Sequence, residues 1–217
     1  MSELSFAIRA VVPDRYAATP TLTVGLHIDD PSNDPVHALA LRAQVVLEPQ
    51  RRAYGAEEAG RLLDLFGERS RWGTTVKPTT WTTCSAVVPG FTGGADVDLP
   101  LPCSYDLEVA AARYLQALDG GEVPLRLLFS GTVFRRGPAG LRIEPVPWSA
   151  EAEHRMPLAV WRQLVDLHWP DSGWLRLRRD TLRALQEERA RTGATSWEET
   201  IGRLLAGARA GAEVTGA

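Results

Sequence analysis

The sequence predicts an α+β fold, mainly antiparallel sheet with two packing helices, followed by a carboxy-terminal helical segment. Three observations carry that expectation. Apolar and polar residues alternate through several stretches before residue 148, the period of a half-buried strand. Clusters of Pro, Gly, Asn and Asp separate those stretches, and such short links favour antiparallel neighbours, because a parallel return needs a crossover of about a dozen residues or more. From Trp148 the apolar spacing changes to three and four, the period of a helix. Residues 1–147 are therefore assigned to sheet with helices, 148–206 to carboxy-terminal helices packed on the same core, and 207–217 to a frayed tail.

The first strand is expected where Leu4, Phe6, Ile8, Ala10 and Val12 alternate with more polar neighbours. The second places Leu22, Val24, Leu26 and Ile28 on one face. PDRYAATP makes the turn between them, and DDPSNDP makes an exposed loop after the second. A long third strand puts Leu39, Leu41, Ala43, Val45 and Leu47 toward the core and ends at Pro49. Residues 56–66, AEEAGRLLDLF, predict one short helix with Ala59, Leu62, Leu63 and Phe66 inward, stopped by Gly67 in a left-handed conformation. TTWTTCSAVVP and ADVDLPLP read as two more strands, joined by GFTGGA.

The clearest helix, turn and strand lie between Cys103 and Arg136. Ser104 is placed to cap the helix, and Leu107, Ala111, Tyr114, Leu115 and Leu118 recur along one stripe until Gly120 and Gly121 stop it. LRLLFSGTVF is apolar at both parities, which predicts a central strand covered on both faces. GPAG then turns into LRIEPV. Beyond Trp148, Ser149 with Glu151 and Glu153, then Pro157, Leu158, Trp161, Leu164, Val165 and His168, predict a helix. LRLRRDTLRALQEERARTG predicts a polar helix held by Leu182 and Leu185 and ended by Gly193. Ser196 and Glu199 form a capping-box pattern before WEETIGRLLAGA.

A net charge of -3 in 217 residues gives no global basic field for nucleic acid or an anionic membrane. Lys77 is the sole lysine among 24 basic residues, an arginine bias read as a mark of a GC-rich genome. The start, MSELSFAIRA, lacks the charged and apolar regions of a secretory leader, and no apolar run approaches the roughly 20 residues of a spanning helix. The expectation is a cytoplasmic protein with Cys84 and Cys103 buried as thiols.

Candidate chemistry is sparse. His27, His37, His154 and His168 are scattered without a ligand spacing, neither cysteine sits in a CxxC, and no metal, cofactor or catalytic residue is expected. Ser130 lacks the strand-to-helix turn of a nucleophile elbow and reads as a sheet-face serine. Gly90, Gly93 and Gly94 lack a phosphate-binding lysine and helix, so they read as a hairpin loop. Asp96 and Asp98 share a strand face, as paired acids or as the polar face of an edge strand. Arg176, Arg178, Arg179 and Arg183 cluster, but Asp180, Glu187 and Glu188 share their helix. Trp148, Trp161, Trp169 and Trp174 fall close together, and Trp169 and Trp174 with Arg178 and Arg179 are the candidate partner-binding set.

The segments LEPQRRAYG, LLDLFGERSRW, VPGF, LPCSYDLEVAAARYLQALDGGEVPLRLLFSGTVF and MPLAVWRQLVDLHWPDSGWLRL carry a resemblance over nearly the whole length. The chain resembles an uncharacterised actinobacterial family known only by a domain-of-unknown-function label. Its members are often encoded among nickel-iron hydrogenase genes, and the resemblance implies an accessory or assembly role. The order of strands, proline-cysteine leader, helix and apolar strand is also similar to the export chaperone SecB, from which the three further carboxy-terminal helices depart. The functional expectation is a non-catalytic accessory or assembly protein binding a protein client, with no nucleic acid, no membrane insertion and homo-oligomerisation left open. One alternative is an enzyme or small-ligand binder with a pocket between sheet and carboxy-terminal helices, using Cys84, Cys103 or His168. Another is a structural subunit of a larger assembly.

Overall fold

A computed structural model describes residues 4–104, 109–137, 140–172 and 177–215, the last five in backbone only. By backbone contacts the chain divides into Met1–Gly173 and Trp174–Ala217.

Among the described residues the first unit holds eight strands in two antiparallel sheets. They are β1 (Ser5–Pro13), β2 (Thr21–Asp29), β3 (Val36–Leu47), β4 (Thr79–Phe91), β5 (Gly94–Pro102), β6 (Glu122–Gly137), β7 (Gly140–Pro145) and β8 (Glu151–Pro157). One sheet has the order β1-β2-β5; the other runs β4-β3-β6-β7, with β8 also on β6. β6 is central because β3 lines one edge from Leu125 to Arg135, while β8 takes the first half of the other edge and β7 the second. Phe6 stacks on Phe129 with ring centroids 4.3 Å apart, joining β1 of one sheet to β6 of the other. The mixed α+β, antiparallel architecture is as expected.

Alternation explains most of the interior. Leu22, Val24, Leu26 and Ile28 on β2 are at most 1 % exposed, and Leu39, Leu41, Ala43, Val45 and Leu47 on β3 are buried beside them. Each such leucine or isoleucine contributes on the order of 1.5–3 kcal/mol by leaving water. The expected alternation fails in the second half of β1. The register shifts between Ile8 and Ala10, so Arg9 is an extra residue. That bulge reverses the parity: Val11 is buried and Val12 is exposed, where Val12 was expected inside. β6 also differs from expectation. Its odd positions from Val123 to Val133 are mostly buried, but Arg126, Leu128 and Thr132 are half-buried and Ser130 is exposed, so only one face is fully covered.

Two short links do not make hairpins. β2 and β3, and likewise β4 and β5, lie in different sheets, so their loops carry the chain from one layer to the other. At the β4–β5 corner Gly93 has φ +74°, and its carbonyl accepts the Asp30 N–H at 2.8 Å. A side chain there would meet Asn33.

Between β3 and β4 lie α1 (Ala56–Arg61), α2 (Leu63–Phe66) and α3 (Trp72–Thr75). One helix was expected over 56–66, but the chain breaks at Leu62, with φ −95° and ψ 4°. Leu62 is fully buried at the break, Leu63 turns outward, and Leu65 packs in its place. Glu58 fixes the start of α1 by accepting the Gly55 N–H at 3.3 Å. Gly67 ends α2 where its position predicted, at a positive φ of +71°, but its ψ of −165° makes it extended rather than left-handed helical.

α4 (Ala110–Ala117) follows β5. Tyr105, Asp106, Leu107 and Glu108, which include part of the expected first turn, lie outside the described residues. Ala111, Tyr114, Leu115 and Leu118 form the buried stripe. Residues 151–157, expected at the head of a helix, form β8. The EAEHRM sequence has period two, and Ala152 and Met156 face inward, so pairing with β6 prevails over the capping pattern at Ser149. α5 (Leu158–His168) starts directly after Pro157 and buries Leu158, Trp161 and Leu164.

The second unit holds α6 (Arg179–Thr192) and α7 (Trp197–Thr215). Gly193 ends α6 at φ +64°, in the left-handed conformation its position predicted. α7 continues beyond Gly207, where a frayed tail was expected.

Candidate functional site

Two surfaces have geometry suited to binding. The first lies in Met1–Gly173, where the end of β3 and the start of β4 meet α2, α3 and α4. Tyr54, Phe66, Trp72 and Tyr114 pack there with centroids 5.2–6.4 Å apart, edge to face except for the tilted Phe66–Tyr114 pair. The Tyr54 hydroxyl donates to the Pro49 carbonyl at 2.7 Å and lies 2.9 Å from the Tyr114 hydroxyl. Tyr54 has one proton to give, so Tyr114 donates to Tyr54 and both phenols are engaged. Burial pushes both phenols above the ordinary tyrosine range, so both remain protonated. Beside this cluster is a cavity of about 160 Å³ with walls that include Leu47, Leu65, Phe66, Ala111 and Tyr114, and with Lys77 among its lining residues.

The second surface lies in Trp174–Ala217. A four-residue link joins α6 to α7, and its geometry is closely specified. The Ser196 hydroxyl accepts the Glu199 N–H at 3.1 Å, and Glu199 reaches back to the Thr195 N–H at 2.8 Å. The capping box is therefore displaced by one residue from the expected reciprocal pair. Arg189 donates to the Ala194 and Thr195 carbonyls and stands 5.2 Å from the centre of the Trp197 ring. Beyond that link, Trp197, Ile201, Leu204 and Leu205 recur at offsets of four, seven and eight. They form one stripe of α7 that is 38–53 % exposed.

Ion pairs occupy other parts of the first unit. Asp30 and Arg135 are buried and meet at 2.7 Å; Glu48 binds Arg51 and Arg126; Arg51 also grips Glu153 with two bonds of 2.6 and 2.9 Å. Arg51, Glu153, His154 and Arg155 line an open recess of about 390 Å³, where burial lowers the His154 pKa. Among the described residues no group of three or more His, Cys, Asp or Glu is placed to hold a metal ion.

The sequence-derived candidates fall as follows. Trp169 is half-buried in the first unit, 5.8 Å from the His168 ring. Arg178 and Arg179 are exposed at the head of α6 in the second unit, and Trp174 lies outside the described residues. The set is thus spread over two units. Asp96 and Asp98 are exposed on β5, an edge strand, and Asp96 pairs across it with His27 at 2.7 Å. Ser130 is an exposed residue of β6. Cys84 and Cys103 are buried free thiols; burial raises both, Cys103 to about 12. Sequence reading passed over the Trp197–Leu205 stripe, whose helical spacing was visible, and took Lys77 as a matter of composition.

Residues 1–213 match a family described only as a family of unknown function (DUF6084). The chain belongs to that family. No curated protein matches the DUF6084 chain. Among solved structures it is similar to a protein of the late embryogenesis abundant class, at 14 % identity over 71 % of each chain with a TM-score of 0.32. It is also similar to the sporulation control protein Spo0M from Bacillus subtilis, at 10 % identity and a TM-score of 0.29, covering 86 % of this chain and 55 % of that one. A β-glucosidase from Kluyveromyces marxianus matches at 8 % identity and a TM-score of 0.24, with 72 % of this chain aligned to 15 % of that one. No described helix of the DUF6084 chain is long and apolar enough to cross a membrane.

Proposed function

We propose that this DUF6084 protein is a non-catalytic cytoplasmic accessory protein that binds a protein client through its two-helix unit. The supporting observation is the stripe of Trp197, Ile201, Leu204 and Leu205 on α7. Four large apolar side chains on one helix face, each more than a third exposed, match the way an amphipathic helix enters an apolar groove on a partner. Residues 174–217 carry eight arginines against six acids in a chain of net charge -3. The fitting client has an apolar groove with an acidic rim, and Arg178 and Arg179 contribute to the basic border. Trp197 is the natural anchor, since aromatic residues dominate binding energy at such contacts.

The family resemblance makes a subunit or maturation factor of a nickel-iron hydrogenase the first client to try. A SecB-like role, holding a client before it assembles, is the form of activity this reading favours. The test is to compare the full chain with Leu204→Glu in binding to purified hydrogenase subunits and maturation proteins. Support is a client whose affinity falls at least about tenfold in Leu204→Glu, with unchanged helical circular dichroism and weaker wild-type binding at high salt. A client bound equally well by both proteins overturns the reading. So does a wild-type homodimer that Leu204→Glu converts to monomer, because a second copy then occupies the stripe.

A further inference from the structure

We infer that the cavity beside Tyr114 binds a small monocarboxylic acid with one benzene-sized apolar group, its carboxylate held by Lys77. The cavity measures about 160 Å³. An apolar protein cavity of about 150 Å³ holds one benzene molecule, so the available space sets the size of the apolar group. Leu47, Leu65, Phe66, Ala111 and the Tyr114 ring supply apolar wall.

The polar lining selects the charge. Thr75 donates its hydroxyl proton to the Phe66 carbonyl at 2.6 Å, and Thr79 donates to the Lys77 carbonyl at 3.3 Å. Tyr114 gives its proton to Tyr54. The side-chain hydroxyls are therefore committed within the protein, which leaves the Lys77 ammonium as the strong donor available to a ligand. Lys77 is exposed and has no ion-pair partner among the described residues. No described lining residue is an acid, so an ammonium group on the ligand would meet Lys77 without a carboxylate to offset the repulsion. The cavity thus favours a simple carboxylate over an amine or an amino acid, by charge repulsion as well as attraction.

Titration of the full chain with phenylacetate, phenethylamine and benzyl alcohol, followed by calorimetry and by the amide shifts of Ala111 and Thr79, tests the assignment. Phenylacetate is expected to bind in the micromolar to low millimolar range and to shift both amides, while phenethylamine does not bind. Lys77→Met should weaken phenylacetate at least about tenfold and leave the weak affinity for benzyl alcohol unchanged; Lys77→Arg should recover most of the loss. Lys77 is a surface residue, so its replacement tests the charge without emptying the core. Absence of phenylacetate binding, equal binding of phenethylamine, or indifference to Lys77→Met would each overturn the assignment. Leu204→Glu should not change phenylacetate binding, which separates this site from the α7 stripe.

Discussion

Asp30 directly follows β2 with no exposed side-chain surface, and three hydrogen bonds justify a charge there. Its carboxylate accepts from Arg135 at 2.7 Å, from the Ser32 hydroxyl at 2.7 Å and from the Ser32 N–H at 3.1 Å. Burial alone would raise its pKa; the bonds from Arg135 and Ser32 outweigh burial and hold it below the ordinary carboxylate value. Because the folded value is depressed, the pair's stabilisation is present above the unfolded value near 4 and is lost as pH falls through the folded one. Asp30→Ala leaves the Arg135 guanidinium buried without its main partner and should cost about 3–5 kcal/mol in urea unfolding at pH 7. Asp30→Asn should also be less stable at pH 7 and show a flatter loss of stability below about pH 4. DDPSNDP was legible as a loop, but its partner lies 105 residues away and no local pattern points to it. The cysteines were legible as buried thiols. With both pKa values raised, neither should react with an alkylating reagent at pH 7.5 faster than the protein opens, and urea should release both together.

At the scale of elements, period alone located most strands and helices, and errors arose where pairing overrode a local signal. β8 resembled a capped helix start because Ser149 precedes two acids, yet the free first half of the β6 edge accepts seven residues of alternating sequence. The bulge at Arg9 and the break at Leu62 each move apolar residues by one position, an effect that a regular period cannot contain. The approach of β3 to β6 at Gly131 was equally hidden. Gly131 has φ +149°, and a Cβ there would stand 2.1 Å from the Ala40 carbonyl oxygen. The obstacle is backbone of the neighbouring strand, so it cannot turn aside as a flexible side chain would. Gly131→Ala should therefore destabilise the protein by about 3 kcal/mol or more, read as a lower urea midpoint. The α7 stripe was present in the sequence at helical spacing, but its exposure was not, since the same pattern usually marks a buried face.

For the whole molecule, the division at Gly173 matters more than the change of composition at Trp148. The described hydrophobic core runs in sequence from Leu4 to Leu164, entirely within Met1–Gly173. Every described β-ladder and the cavity beside Tyr114 belong to that same unit. In the second unit Ala194 is the one apolar residue among the described side chains to be buried, whereas Trp197 and Leu205 remain substantially exposed. Cooperative stability follows buried apolar area, so the first unit should dominate thermal unfolding. A chain ended at residue 173 is therefore expected to unfold in one transition, within about 5 °C of the full protein, and to retain phenylacetate binding. It should lose the client that Leu204→Glu weakens. Differential scanning calorimetry and the two binding assays check this division. A truncated chain that fails to fold would show that residues 174–217 complete the core, and a truncated chain that still binds the client would place the client surface on the sheets.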